Sequence, residues 1–142
     1  MPIEYAILVP TIAMTLLIAI AWVRLYQDRI GELRARRIHP QQIATSRQMA
    51  ETMQNLRSAD HFRNLFEVPV LFYVLCGFIA ITKLTTVLLL ACAWGFVVLR
   101  ASHTYIHLTH NKVIRRIQAY VASTIVLWAM WGIFAVKLLT RS

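Results

Sequence analysis

Glycine is scarce in this chain, with four in 142 residues, cysteine scarcer still at two, and charged residues make up only 15%. No Walker-type phosphate loop, no GxSxG elbow and no CxxC pair occurs, so soluble nucleotide, serine-hydrolase and dithiol chemistries find no support. Cys76 and Cys92 lie inside apolar runs, where a cysteine behaves as a small buried hydrophobe, and neither a disulfide nor a thiol-redox site is expected. Internal repeats and low-complexity tracts are also missing. What remains is hydrophobic: 58% of the residues, with a mean hydropathy of +0.58, too apolar for an ordinary soluble domain.

The apolar residues gather into runs expected to cross a bilayer at residues 6–23, 67–81, 86–103 and 117–139, each near the length that spans about 30 Å of hydrocarbon. The expected fold is all-α: one integral membrane four-helix bundle of up-down topology over residues 1–142. The second run is the shortest, so its helix is expected to begin earlier, near Thr52 to Arg57, and to project from the bilayer. Residues Met1 to Tyr5 carry Glu4 and no basic residue, so the first run reads as an uncleaved span. The sizeable extramembrane piece, residues 27–63, has a turn expected between Arg34 and Pro40.

Lysine and arginine total fifteen against six acidic residues, a net charge of +9. The excess sits beside the spans: Arg29, Arg34, Arg36, Arg37, Arg47, Arg57 and Arg63 in the first loop, Lys112, Arg115 and Arg116 in the third, and Lys83 alone in the second. That distribution satisfies the positive-inside rule and attraction to anionic lipid, and argues against nucleic acid as a partner. It places the first and third loops in the cytoplasm and both termini outside.

The polar residues within the apolar runs carry the chemistry. Arg100, His103, His107 and His110 recur at three, four and three residues, one helical face. Upstream, Arg57, Asp60, Asn64 and Glu67 form a second such line. Residues 82–86 alone join the two runs, predicting an antiparallel hairpin in which residues of equal index sum lie at equal depth. Glu67 then falls level with Arg100, Asn64 with His103 and Asp60 with His107, a ladder of charge-assisted contacts near the cytoplasmic face. The same arithmetic leaves open whether the faces meet within one subunit or between two. An arginine at the end of an apolar run must snorkel or find an anion. Glu67 with Arg100 reads equally well as a structural ion pair or as ligand-binding groups, whereas an intramembrane amide such as Asn64 favours a ligand. His103 and His107, at i and i+4, also have the spacing of a metal or haem site, though no second histidine pair lies on another span.

Two motifs resemble a known family. Arg63-Asn64-Leu65-Phe66-Glu67-Val68-Pro69 ahead of one span, and Arg100-Ala101-Ser102-His103 near the end of the next, are similar to the membrane-associated proteins in eicosanoid and glutathione metabolism (MAPEG), among them microsomal glutathione transferases and microsomal prostaglandin E synthase. The resemblance implies a homotrimer in a bacterial inner membrane, with glutathione as co-substrate in clefts between subunits near the cytoplasmic face. It implies that Arg63, Asn64, Glu67, Arg100, His103 and Tyr120 hold glutathione, that Arg116 stabilises its thiolate, and that Arg34 and His107 are additional candidates. No resident metal is implied. The chain differs from the family pattern at His107, where relatives often carry tyrosine, and at Ile117, where the prostaglandin synthase has serine. The implied activity is transfer of glutathione to lipophilic electrophiles, or reduction of lipid hydroperoxides, with a second substrate arriving from the bilayer. The alternatives are a non-catalytic scaffold of the same fold or a histidine-based metal or haem protein.

Overall fold

A computed structural model describes residues 2–54, 57–109 and 112–140, with the side chains of residues 57, 58, 60, 61, 107 and 108 outside that description. Every regular element among the described residues is helical. The helices are α1 (Ile3–Ala6), α2 (Leu8–Ala35), α3 (Ser46–Thr52), α4 (Arg57–Asn64), α5 (Val68–Ile81), α6 (Val87–Leu108) and α7 (Val113–Leu139), with a single 3-10 turn at Pro40–Ile43. Four helical stretches are long and apolar enough to cross a membrane: Ile3–Ala35, Phe62–Ile81, Val87–Ile106 and Val113–Leu139. The fold is an all-α membrane bundle, as expected.

The termini of these helices follow from local chemistry. Thr86 accepts from the Leu89 N–H at 3.3 Å and caps α6. Thr45 and Gln48 form a reciprocal capping box at the start of α3. Beyond α2 the chain reverses through Arg37, whose φ of 55° is left-handed, before Pro40 sets the 3-10 turn. At the far end of the bundle, Lys83 Nζ lies 3.7 Å from Glu4 Oε2 and the Thr85 hydroxyl donates to the Glu4 carbonyl at 2.7 Å.

The core is built from one stripe per helix. On α6 it runs Leu89, Ala93, Phe96 and Val97, and on α7 Ser123, Leu127, Met130 and Phe134, both at helical spacing. Phe72, Leu75, Cys76 and Ile79 of α5 and Met14 and Ala21 of α2 complete it. α6 packs most extensively on α7, while α2 packs against α4, α5 and α6. The faces away from the core carry Ile12, Leu16, Ile20, Ile81, Val98 and Ile125, all well exposed in the single chain, which is the surface hydrocarbon requires. Cys76 and Cys92 are free thiols.

The helix expected to run unbroken from near Thr52 to Arg57 into the second span is interrupted. Residues 65–67 form a turn between α4 and α5, in which Leu65 N–H and Phe66 N–H donate three residues back, to Phe62 and Arg63. Pro69 is the reason: it lacks an N–H, its ring clashes with the carbonyl four residues before it, and it biases the residue before it away from helix. Asn64 and Glu67 therefore do not share one continuous helical face.

Candidate functional site

The core stripe of α6 does not stop at its apolar residues. Four residues after Phe96 comes Arg100, then His103 and Thr104, and all three are buried, Arg100 with no exposed surface and His103 with 2%. Arg100 does not snorkel, and within the single chain it forms no direct ion pair with Glu67, although the Glu67 charge still reaches it. Glu67 is exposed on the turn after α4, and no described group stands in good hydrogen-bond geometry to Nε, Nη1 or Nη2 of Arg100, although the Tyr120 side chain lies close enough to interact with the guanidinium as a polar partner. The reason lies in the packing: α5 and α6 meet through Phe72 stacked on Phe96, ring centroids 4.4 Å apart, and Arg100 turns toward α7 instead. Its guanidinium carbon sits 4.8 Å from the centroid of the Tyr120 ring and 5.4 Å from that of Phe96, a cation held by two aromatic rings. The His103 ring lies 5.9 Å from that of Tyr120.

On α7 the stripe extends backwards from Ser123 to Tyr120 and Arg116, both partly buried, so these two point to the same side of the helix as the core. The Tyr120 carbonyl accepts from the Ser123 hydroxyl at 2.7 Å and the Thr124 hydroxyl at 2.9 Å. Arg100, His103 and Tyr120 are thus brought together by direct contact, and Arg116 stands one turn before Tyr120.

The remaining candidates lie on other elements. Asn64 is half-buried at the end of α4, and Arg63 is exposed beside it. Arg63 and Arg29 border a cleft of about 360 Å³ between α2, α3 and α4, walled by Leu25, Met49, Ala50 and Phe62. Arg34 is exposed near the end of α2, on a groove with Trp22, Tyr26 and Ile30. The lower rungs of the ladder, Arg57, Asp60, His107 and His110, lie outside the described side chains. Among the described residues no group of three His, Cys, Asp or Glu side chains could hold a metal ion.

Phe96 escaped the sequence reading. The available signal was an aromatic one helical turn before an intramembrane arginine, a pattern that becomes informative only once the arginine is known to face inwards.

A buried guanidinium whose nitrogens have no well-aligned acceptor among the described residues is a strong attractor for an anion, because a poorly paired desolvated charge costs several kcal/mol. A carboxylate offers the bidentate match. The chain is matched over residues 7–136 by the model of the MAPEG family. This chain belongs to the MAPEG family. No curated protein and no solved structure matches it at a significant level. As a MAPEG chain it is an integral membrane protein, and membership supports a membrane glutathione transferase-like, peroxidase-like or related function in general terms.

Proposed function

We propose that this MAPEG protein is a glutathione-dependent transferase or peroxidase acting on lipophilic substrates. The observation that carries the reading is the enclosed guanidinium of Arg100 between Phe96 and Tyr120, with no well-aligned acceptor among the described residues. Glutathione brings two carboxylates, an ammonium and a thiol. Arg100 takes a carboxylate, Arg63 and Asn64 on α4 take further oxygens, and Glu67 meets the ammonium. His103 donates from its ring beside Tyr120. Since Arg100 has no exposed surface, the peptide reaches it only when the Tyr120 ring turns aside, making that ring the cover of the site.

Arg116 is the catalytic residue of this scheme. A thiol with a pKa of about 8.5 is mostly protonated at neutral pH, and a guanidinium beside the sulfur favours the thiolate. The thiolate forms a carbon–sulfur bond as the electrophile's leaving group departs. With a hydroperoxide it attacks the O–O bond, giving an alcohol and the sulfenic acid of glutathione, which a second glutathione converts to the disulfide and water. The exposed apolar faces of the bundle suit delivery of the second substrate from the bilayer, and assembly into a homotrimer would place the glutathione cleft between neighbouring copies. The basic loops favour a site on the cytoplasmic side with both termini outside.

The test is ultraviolet absorbance of the thiolate on mixing reduced glutathione with detergent-purified protein, with Arg116→Ala alongside. A thiolate signal in the wild type that the variant loses supports the reading. A folded wild type with no signal overturns it and leaves a non-catalytic scaffold.

A further inference from the structure

The long helix α2 continues past its apolar stretch to Ala35, and its last turns carry a cluster that the proposed chemistry does not use. Glu32 Oε1 accepts from the backbone N–H of Gln54 at 2.6 Å and from Arg36 Nη1 at 2.9 Å. The same Arg36 nitrogen donates to the carbonyl of Thr52 at 2.7 Å. Only 11% of the Glu32 side chain is exposed, against 38% of Arg36. A carboxylate so enclosed is costly unless it is hydrogen-bonded, and here Oε1 accepts two charge-assisted bonds. What it fastens is informative. Thr52 ends α3, so its carbonyl is one of those a helix terminus leaves over, and Gln54 stands two residues beyond. Residues 55 and 56 alone separate Gln54 from Arg57, where α4 begins.

The clasp therefore anchors the chain at Thr52 and Gln54, the latter three residues ahead of Arg57. α4 packs against both α2 and α6 and ends in Arg63 and Asn64, after which a turn at 65–67 interrupts the helix before α5. With the helix interrupted at 65–67, the direction of α4 depends on that turn, on its packing against α2 and α6 and on the anchored chain ahead of it. We infer that Glu32, locked by Arg36, is a positioning residue for glutathione: it holds α4 so that Arg63 and Asn64 face the peptide, without touching the peptide itself. The inference rests on the glutathione reading above.

The experiment compares wild type, Glu32→Ala, Glu32→Gln and Arg36→Ala, all as the full detergent-purified chain. It reads glutathione affinity by calorimetry, steady-state turnover with a soluble aryl halide, and amide hydrogen exchange. Losing a charge-assisted bond that organises α4 raises the glutathione Kd and KM in Glu32→Ala by roughly tenfold. kcat and the thiolate pKa at saturating glutathione stay within about twofold, since Arg116 lies on α7. Glu32→Gln keeps an acceptor for the Gln54 N–H and recovers most of the affinity. Exchange rises at the Gln54 amide and along residues 57–64 in Glu32→Ala. Arg36→Ala shows a smaller effect, and the double variant Glu32→Ala with Arg36→Ala is no worse than Glu32→Ala alone. A Glu32→Ala protein with faster Gln54 exchange and unchanged affinity overturns the positioning role. A fall in kcat with unchanged KM overturns it as well. A wild type that shows no glutathione thiolate defeats the functional reading first, and the positioning role falls with it.

Discussion

Replacing Arg100 with methionine separates charge from volume at the centre of the site. Alanine would not, because Arg100 is among the largest wholly buried side chains and its truncation would also open a cavity. The charge is held by two ring faces, at 4.8 and 5.4 Å, and a desolvated cation–π contact contributes about 2 kcal/mol, so two give about 4. Against this stands a desolvation penalty of several kcal/mol for an ion without well-aligned hydrogen-bond acceptors. Methionine removes both terms and adds apolar burial of about 1.5–3 kcal/mol. Without glutathione, Arg100→Met is expected to be the more stable protein by about 1–2 kcal/mol, or a rise in thermal midpoint of roughly 2–8 °C. With glutathione at a hundred times its Kd, the wild type gains about 2.7 kcal/mol by linkage, and the variant, which has lost the carboxylate's partner, gains far less. The order of the two midpoints should reverse as glutathione is added, followed by scanning fluorimetry in detergent. A variant already less stable than wild type without glutathione would refute the reasoning, because it would mean that a fixed internal anion partners Arg100.

Four further outcomes are expected. Arg116→Ala should keep its far-ultraviolet circular dichroism and lose the glutathione thiolate signal, with a fall in kcat/KM of about a hundredfold, in line with typical losses of a transition-state charge partner. Tyr120→Ala should uncover Arg100, so stopped-flow measurement should find glutathione association faster and dissociation faster still. Pro69→Ala should let α4 and α5 join across residues 65–67, visible as slower amide exchange there, and should weaken glutathione binding by turning Arg63 and Asn64. Lys83→Ala should change stability by less than about 1 kcal/mol in chemical unfolding, because its 3.7 Å pair with Glu4 is largely exposed.

The sequence disclosed depth more readily than direction. Hydropathy located the apolar helices, and the spacing of Arg100 and His103 put them on one face, because helical period is a local property. Equal index sums placed Glu67 level with Arg100, and within one chain the Glu67 charge reaches Arg100 without a direct ion pair: rotation of a helix about its own axis is set by packing, here Phe72 against Phe96. The turn at 65–67 had a signal in Pro69, but the apolar residues around it suggested a continuous run. Arg116 and Tyr120 entered through family resemblance, since an arginine beside a span most often sets topology. Their place on the core stripe of α7 gives that assignment a physical footing. The Glu32 contact with Gln54 spans 22 residues and two elements, and nothing local announces it.

The break after α4 also has a mechanical meaning. Bilayers differ in thickness, and a spanning helix adapts by tilting. Were α4 and α5 one rod, each degree of tilt would swing Arg63 and Asn64 through the aqueous boundary. A turn at residues 65–67 that yields would let α5 lean while α4 keeps its packing on α2 and α6. The same protein should therefore bind glutathione with similar affinity in vesicles of short and of long acyl chains, and an enzyme whose second substrate alters the lipid around it would keep a steady grip on the first.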